Sequence, residues 1–271
     1  MSCEQRDVSP AECVSIEPAL EEQARHLVGG IYTPSEEAGD CRAFCMALTN
    51  VLKKRYGVTF LFNTAIHALV TRQGSIDSVD AIDTSLGRLD GGIFVACLGA
   101  GGIGLLDLPG LRVPVYPLTG YSLTAPLVTG AAPRVSITDT HHKIVYATLG
   151  ERLRIAGMVD IGPTPARVRR ARIEVLRRQA EHFLPGAARY DEAEAWAGMR
   201  PATPSGKPVI GPTRYRNLWL NTGHGALGFT LACATGALTA SLCLSQRPVI
   251  DVSPFLLHDA TVPSHPTRVK P

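Results

Sequence analysis

Apolar positions along this chain change period several times, and each change marks an element. Over residues 40–57 the spacing is helical: Phe44, Cys45, Leu48, Val51 and Leu52 fall on one side of a predicted helix that runs to about Tyr56. Asp40 is placed to cap it and Gly57 to stop it. Lys53, Lys54 and Arg55 occupy the last turn, where the helix dipole favours positive charge. Over residues 58–98 the pattern shortens to β-like runs, VTFLF, IHALV, IDSVDAI and GGIFVACL, separated by the turn signals RQGS and SLGRLDGG. The runs VPVYPLTGYSLTAPL, RVSITDT, KIVYATLG and RLRIAGMV then follow without a helix between them, which predicts an antiparallel sheet. A second helix is predicted from about Pro165 to Phe183. Its Arg167, Arg170, Glu174, Arg177, Arg178 and Glu181 share one face, with Val168, Val175, Leu176, Ala180 and Phe183 opposite. Opposite charges four apart, Arg170 with Glu174, Glu174 with Arg178 and Arg177 with Glu181, read as a solvated face rather than a ligand surface.

A short strand over residues 218–220 leads into a third helical stretch, ALGFTLACATGALTASLCL at 226–244, which carries no charge and is long enough to span a bilayer. Small residues (Gly228, Ala232, Thr235, Gly236, Thr239, Ala240) and weak basic flanks, only His224 and Arg247, favour a helix buried in the core of a soluble domain. The 271 residues allow one large domain or two smaller ones, and a net charge of +3 with interspersed acids and bases gives no electrostatic footprint for nucleic acid. Seven cysteines occur without a C-x-x-C pair; Cys41 and Cys45 share a helical face but lack the further ligands of a metal site. Buried free thiols in a reducing cytoplasm are expected. The opening MSCEQRDVSPAEC lacks the basic start and apolar core of a secretory signal.

The run IFVACLGAGGIG sets Gly99, Gly101 and Gly104 in the G-x-G-x-x-G spacing of a phosphate cradle. Such a cradle needs a helix after the glycines and an acidic ribose ligand roughly 20 residues on. Here only Leu105, Leu106, Asp107 and Leu108 precede Pro109, and no acidic residue lies between Asp107 and Asp139. The glycines are therefore expected in a turn and not under a pyrophosphate.

The stretch that carries chemistry is WAGMRPATPSGKPVIGPTRYRNLWLNTGHGALGFT, residues 196–230. Arg200 stands beside Pro201, where a rigidly held guanidinium can meet a carboxylate in two parallel hydrogen bonds. Gly223, His224, Gly225 and Gly228 lie at a strand-to-helix junction, where bare backbone N–H groups at the positive end of a helix can face an electron-rich ligand atom. Together these residues resemble the C-terminal flavin motif of the FAD-dependent amino acid oxidoreductases, the superfamily of D-amino acid oxidase and glycine oxidase. IEPAL at 16–20, GGIYTPSEEAGDC at 29–41 and VPVYPLTGYSLT at 113–124 resemble the small subunit of bacterial D-amino acid dehydrogenases in the same order.

The resemblance implies an α+β chain: an α/β flavin domain remnant in two parts, residues 25–110 and 201–248, an antiparallel substrate domain at 111–200, and an extended tail at 249–271. It implies FAD as cofactor, with Gly223, His224, Gly225, Ala226, Leu227, Gly228 and Thr230 lining the flavin ring. Gly99 would lie in a central turn near the flavin, and Ile66 beside the adenine. Arg200 would pair with the substrate carboxylate; Tyr121 would face the substrate or pack in the core; His224 would be a polar group of the site or bond the local backbone. The implied reaction is oxidative deamination of a D-amino acid by hydride transfer to flavin, with electrons passing to a quinone or another acceptor, and no catalytic base is evident. A cytoplasmic protein is expected, either free or peripheral to the inner membrane. Two features depart from the family. Nothing like its opening strand, G-x-G-x-x-G and helix precedes Ile16, which implies a separate N-terminal FAD-binding segment or subunit. Thr119 stands where dehydrogenases of this type carry lysine in P-L-K-G-Y. The alternative reading is a catalytically silent fragment or interaction remnant retaining half a flavin site.

Overall fold

Capping residues and period changes set where the elements begin and end. The computed structural model describes residues 4–74, 77–161 and 166–257. In chain order they form β1 (Arg6–Val8), α1 (Pro10–Ile16), β2 (Gly30–Tyr32), α2 (Cys41–Tyr56), β3 (Ile66–Arg72), β4 (Ser78–Thr84), β5 (Gly87–Asp90), β6 (Phe94–Ala96), β7 (Tyr116–Pro126), β8 (Ile137–Asp139), β9 (Ile144–Leu149), β10 (Arg152–Ile161), α3 (Arg170–Phe183), β11 (Glu194–Ala202), β12 (Val209–Pro212), β13 (Leu218–Thr222) and α4 (Gly228–Cys243). The class is α+β. Two compact units result, one from residues 1–59 and 119–198, the other from 60–118 and 199–271. Residues 25–59, expected with the flavin domain, group instead with the antiparallel sheet.

The first unit is built on a five-stranded sheet, order β11-β7-β10-β9-β8, in which β9 pairs antiparallel with both β10 and β8. Alternate residues face one core: Tyr121, Leu123 and Ala125 from β7, Ile144 and Tyr146 from β9, and Leu153 and Ile155 from β10. Leu176 and Ala180 of α3 pack onto them, and the Phe183 ring stacks on Tyr146 at 5.0 Å. Buried Glu17 ties the N-terminal segment to this unit by accepting hydrogen bonds from the amides of Ala19, Arg134 and Val135.

The second unit holds two three-stranded sheets, β3-β4-β5 and β12-β13-β6. Val79, Phe94, Ala96, Val209, Leu218 and Leu220 close a core with Leu106, Leu111 and Tyr215, whose hydroxyl donates to the Pro109 carbonyl at 3.0 Å. Asn217 joins the sheets. Its side chain accepts from Val79 N at 2.8 Å and donates to Val79 O at 2.7 Å, while its own carbonyl accepts from Phe94 N.

Several sequence expectations need correction. Residues 58–62 form loop and turn, not a strand, because no neighbouring strand pairs with them among the described residues. α3 begins at Arg170, so Arg167 and Val168 precede it, and Pro165 lies outside the described residues. Its charges pair as expected in kind but centre on Arg177, which binds Glu174 at 2.7 Å and also Glu181. Helix α4 is not a buried core element: only Thr235, Leu238 and Thr239 are buried, because the described elements cover one side of it. By length and composition Gly225–Cys243 could cross a membrane. The six cysteines among the described residues are free as expected but not buried: Cys41, Cys45, Cys97 and Cys233 are exposed, and Cys13 and Cys243 are partly so. Of the expected tail, residues 258–271 lie outside the described residues.

Candidate functional site

In the second unit β13 runs parallel to β6, with Leu220 opposite Ala96, so both strands deliver the residues that follow them to the same end of one sheet. The crevice beyond the carboxyl ends of parallel strands is where such sheets receive ligands. After β6 the chain turns at Gly99, where a Cβ would meet nothing within 4 Å, and closes in a single 3-10 turn, Ile103–Leu106. This is the turn expected from the interrupted glycine fingerprint, with no helix behind it. β3, which Ile66 opens, packs against that turn.

After β13 come Gly223 at φ 80° and Gly225 at φ 56°. A Cβ on Gly223 would lie 2.6 Å from Thr203 Cγ2, so both dihedral and space require glycine. At Gly225 the same atom would meet open space. The 3-10 turn Gly225–Leu227 then enters α4, and neither element has a side-chain cap at its start among the described residues. Within this turn the Leu227 N–H donates to the His224 carbonyl at 3.0 Å, and the junction lies at the positive end of the α4 dipole. Ala226, Leu227 and Thr230 are exposed along this entry, and a Cβ on Gly228 would meet His224 Cβ at only an ordinary 3.6 Å.

Three buried polar atoms near this junction have no hydrogen-bond partner among the described residues: Asn221 Oδ1 and Thr222 Oγ1, on opposite faces of β13, and His224 Nε2 beyond its end. Orphaned buried polar atoms are costly and call for a partner. Burial also pushes the His224 imidazole below its ordinary pKa, so it stands neutral. His224 was read from its place between glycines. Asn221 and Thr222 were not, because nothing local in LWLNTG says that their polar atoms go unmatched.

Arg200 lies in β11, a strand whose neighbouring residues approach both glycine turns. Met199 beside it approaches the Cβ position of Gly101 at 4.0 Å, and Thr203 three residues on approaches that of Gly223. The guanidinium is half-buried, and desolvation lowers its pKa. Tyr121 belongs to the first unit. Its ring is in the core there, and its hydroxyl donates to Asp160 Oδ2 at 2.8 Å, with Arg172 and Arg169 on the same carboxylate. Burial and then Asp160 push the Tyr121 phenol up, while the Tyr121 hydroxyl and Arg172 hold Asp160 below the usual carboxylate range. Thr119 is buried in the same unit. Among the described residues no group of histidines, cysteines and carboxylates forms a metal site.

A βα junction with left-handed glycines and unmatched buried polar atoms, beyond the carboxyl ends of parallel strands, is suited to a hydrogen-bonding ligand. The family model "FAD dependent oxidoreductase" matches residues 2–242, and the chain belongs to that family. It is 46% identical over 250 residues to "D-amino acid dehydrogenase 2" of Pseudomonas aeruginosa, covering 92% of this chain and 59% of that protein. It is 40% identical over 242 residues to a D-amino acid dehydrogenase of Granulibacter bethesdensis, covering 89% of this chain and 57% of that one. The chain thus spans under two thirds of the length of these curated relatives. Among solved structures, glycine oxidase from Geobacillus kaustophilus superposes with a TM-score of 0.81 at 24% identity, covering 94% of this chain and 67% of that one. L-proline dehydrogenase from P.horikoshii gives 0.81 at 18% identity, with coverages of 94% and 68%.

Proposed function

We propose that this chain forms the flavin-ring and substrate-anchoring part of an FAD-dependent D-amino acid dehydrogenase. The observation that carries the reading is the junction at 221–228: three orphaned buried polar atoms, two left-handed glycines and uncapped helix amides, which together suit a flat, hydrogen-bonding ring. Bound there, FAD supplies the acceptor for a hydride. The amides of Gly225, Ala226 and Gly228 would be the groups offered to its electron-rich edge, and the α4 dipole would favour negative charge there. Arg200 holds the substrate carboxylate and so fixes the Cα hydrogen in place. The substrate loses that hydride and a proton from its neutral amine, and water converts the resulting imino acid to a 2-oxo acid and ammonia. A quinone or similar acceptor takes the electrons onward. The pyrophosphate half of the cofactor is held by the part of the relatives' length that this chain does not span.

The test is reconstitution. The purified chain, alone and with that missing part of the P. aeruginosa relative, is mixed with FAD, and the visible spectrum is recorded before and after anaerobic addition of a D-amino acid. Bound flavin that bleaches with a D-amino acid and not with its L-enantiomer supports the reading. A folded complex that takes up no flavin sinks it.

A further inference from the structure

The first unit holds a cavity of about 830 Å³ that the flavin reading does not use; it shares no residue with the 221–228 junction. Three segments wall it: parts of the chain between Val8 and Tyr32, β8 with the turn that follows it, and one face of α3. That face is Val175, Arg178, Gln179, His182 and Phe183, whose spacing of three and four lines side chains up along one side of a helix. Two buried side chains brace the walls. Glu17, 2% exposed, accepts from the Arg134 and Val135 amides, and Gln23, 8% exposed, donates to the His182 carbonyl at 2.8 Å. The N-terminal segment is therefore fastened both to the approach to β8 and to the end of α3, and the space between them is part of the fold rather than a loose seam. Its size is that of a small-molecule pocket, roughly 300–1,000 Å³.

The lining sorts by chemistry. Leu20 is buried and Leu27, Ile137, Val175 and Phe183 are half-buried, which makes the floor apolar. The rim carries Arg178 with His26, His141, His142 and His182, all exposed. Both lining acids are already engaged. Glu17 accepts from three backbone amides, and Asp139 accepts from the His141 and His142 amides and pairs with His142 Nδ1 at 2.6 Å. Arg178 takes part in no salt bridge among the described residues; Glu174, four residues back, is bound instead by Arg177 at 2.7 Å. We propose that this cavity binds a small carboxylic acid with an apolar body, its carboxylate on Arg178 and its hydrocarbon against Leu27, Ile137 and Phe183. A guanidinium meets a carboxylate in two parallel hydrogen bonds, and the apolar body leaves water for the floor. A cationic ligand would face the rim arginine with both acids spent, and a wholly polar one would lie on apolar side chains without partners. Straight-chain fatty acids and aryl acids share the required chemistry, and the test separates them.

The test titrates the full chain, without FAD, with octanoate, with phenylacetate and with octanol, the uncharged twin of octanoate, and reads binding by calorimetry. One saturable site is expected. Arg178→Gln should lose at least about tenfold in octanoate affinity while octanol binds as before, since the charge-assisted bonds go and the apolar floor stays. Val175→Trp, on the same helix face, should weaken both ligands by filling the space. Arg178 is exposed and outside any salt bridge among the described residues, so the melting temperature of Arg178→Gln stays at the wild-type value. Octanoate binding more tightly than phenylacetate assigns the site to fatty acids, and the reverse order assigns it to aryl acids; either supports the proposal. No saturable binding by a chain shown folded by circular dichroism overturns it. So does an unchanged octanoate affinity in Arg178→Gln, an equal loss of octanoate and octanol in that variant, or full affinity in Val175→Trp. No flavin enters the titration, so its outcome is independent of the reconstitution result.

Discussion

Replacing Gly223 with alanine separates two costs that the structure places on one residue. The first is the backbone: φ is 80°, and holding an L-residue in the left-handed region costs about 1–2 kcal/mol. The second is contact, since the new Cβ would lie 2.6 Å from Thr203 Cγ2, while Val209 N and Val115 Cγ2, at 3.5 and 3.6 Å, are ordinary neighbours. Thr203 can relieve the overlap by rotating, but its hydroxyl donates to the Lys207 carbonyl at 2.7 Å, so rotation forfeits a hydrogen bond worth about 0.5–1.5 kcal/mol. The expected total is about 2–3 kcal/mol, read as a lowered urea midpoint at constant slope. Gly225→Ala, at φ 56° with nothing within 4 Å, keeps only the backbone part, about 1–2 kcal/mol. In a Thr203→Ser background the methyl is gone and the hydroxyl kept, so Gly223→Ala should fall to the Gly225→Ala cost, a coupling of about 1 kcal/mol. Identical losses in both backgrounds would refute the idea that Thr203 excludes a side chain from this turn.

Arg200→Ala should weaken binding of a carboxylate substrate or analogue by about 2–5 kcal/mol while leaving FAD affinity unchanged, with calorimetry reading both. Equal losses would make Arg200 structural. Tyr121→Phe should cost about 0.5–1.5 kcal/mol in chemical denaturation without changing flavin content, because Asp160 keeps Arg172. Asp160 has its folded pKa depressed by the Tyr121 hydroxyl and Arg172, so its stabilising contribution is present above the unfolded carboxylate pKa and is lost as pH falls through the folded value. The difference between wild type and Asp160→Asn should accordingly shrink on acidification below about pH 4. His224 is held neutral by burial, so the unfolded chain binds its proton more readily. Stability should fall as pH drops through about 6.5, and His224→Gln should flatten that slope.

Local chemistry was legible where it acts locally. Asp40 accepts from Ala43 N at 3.0 Å and Gly57 adopts φ 64°, so α2 starts and stops where its sequence says. The same helix shows why burial was not legible: Phe44, Leu48 and Val51 form the apolar side foreseen, yet all are exposed, because burial is decided by what packs opposite. α4 misled in the same direction, since a helix apolar all round has no periodicity to say which side is covered. At the site, glycine and arginine advertise themselves by type and spacing. The unmatched states of Asn221 and Thr222 are properties of packing, and no residue of the pair is unusual as a letter. Tyr121 was open between substrate and core, and its bond to Asp160 depends on a strand 39 residues away.

Asn217 stitches the second unit together, beside the bonds of Arg216 N and Arg214 to Asp77. Because one side-chain amide stands in for a missing strand partner at Val79 while the same residue's carbonyl holds Phe94, the two small sheets share a fastening at the root of β13. Neither can peel away without loosening the other, so strain introduced at one margin is felt at the far one. The half of the protein that carries the glycine turns should thus unfold as one cooperative unit, with a ligand at the tip of β13 protecting amides of both sheets from hydrogen exchange.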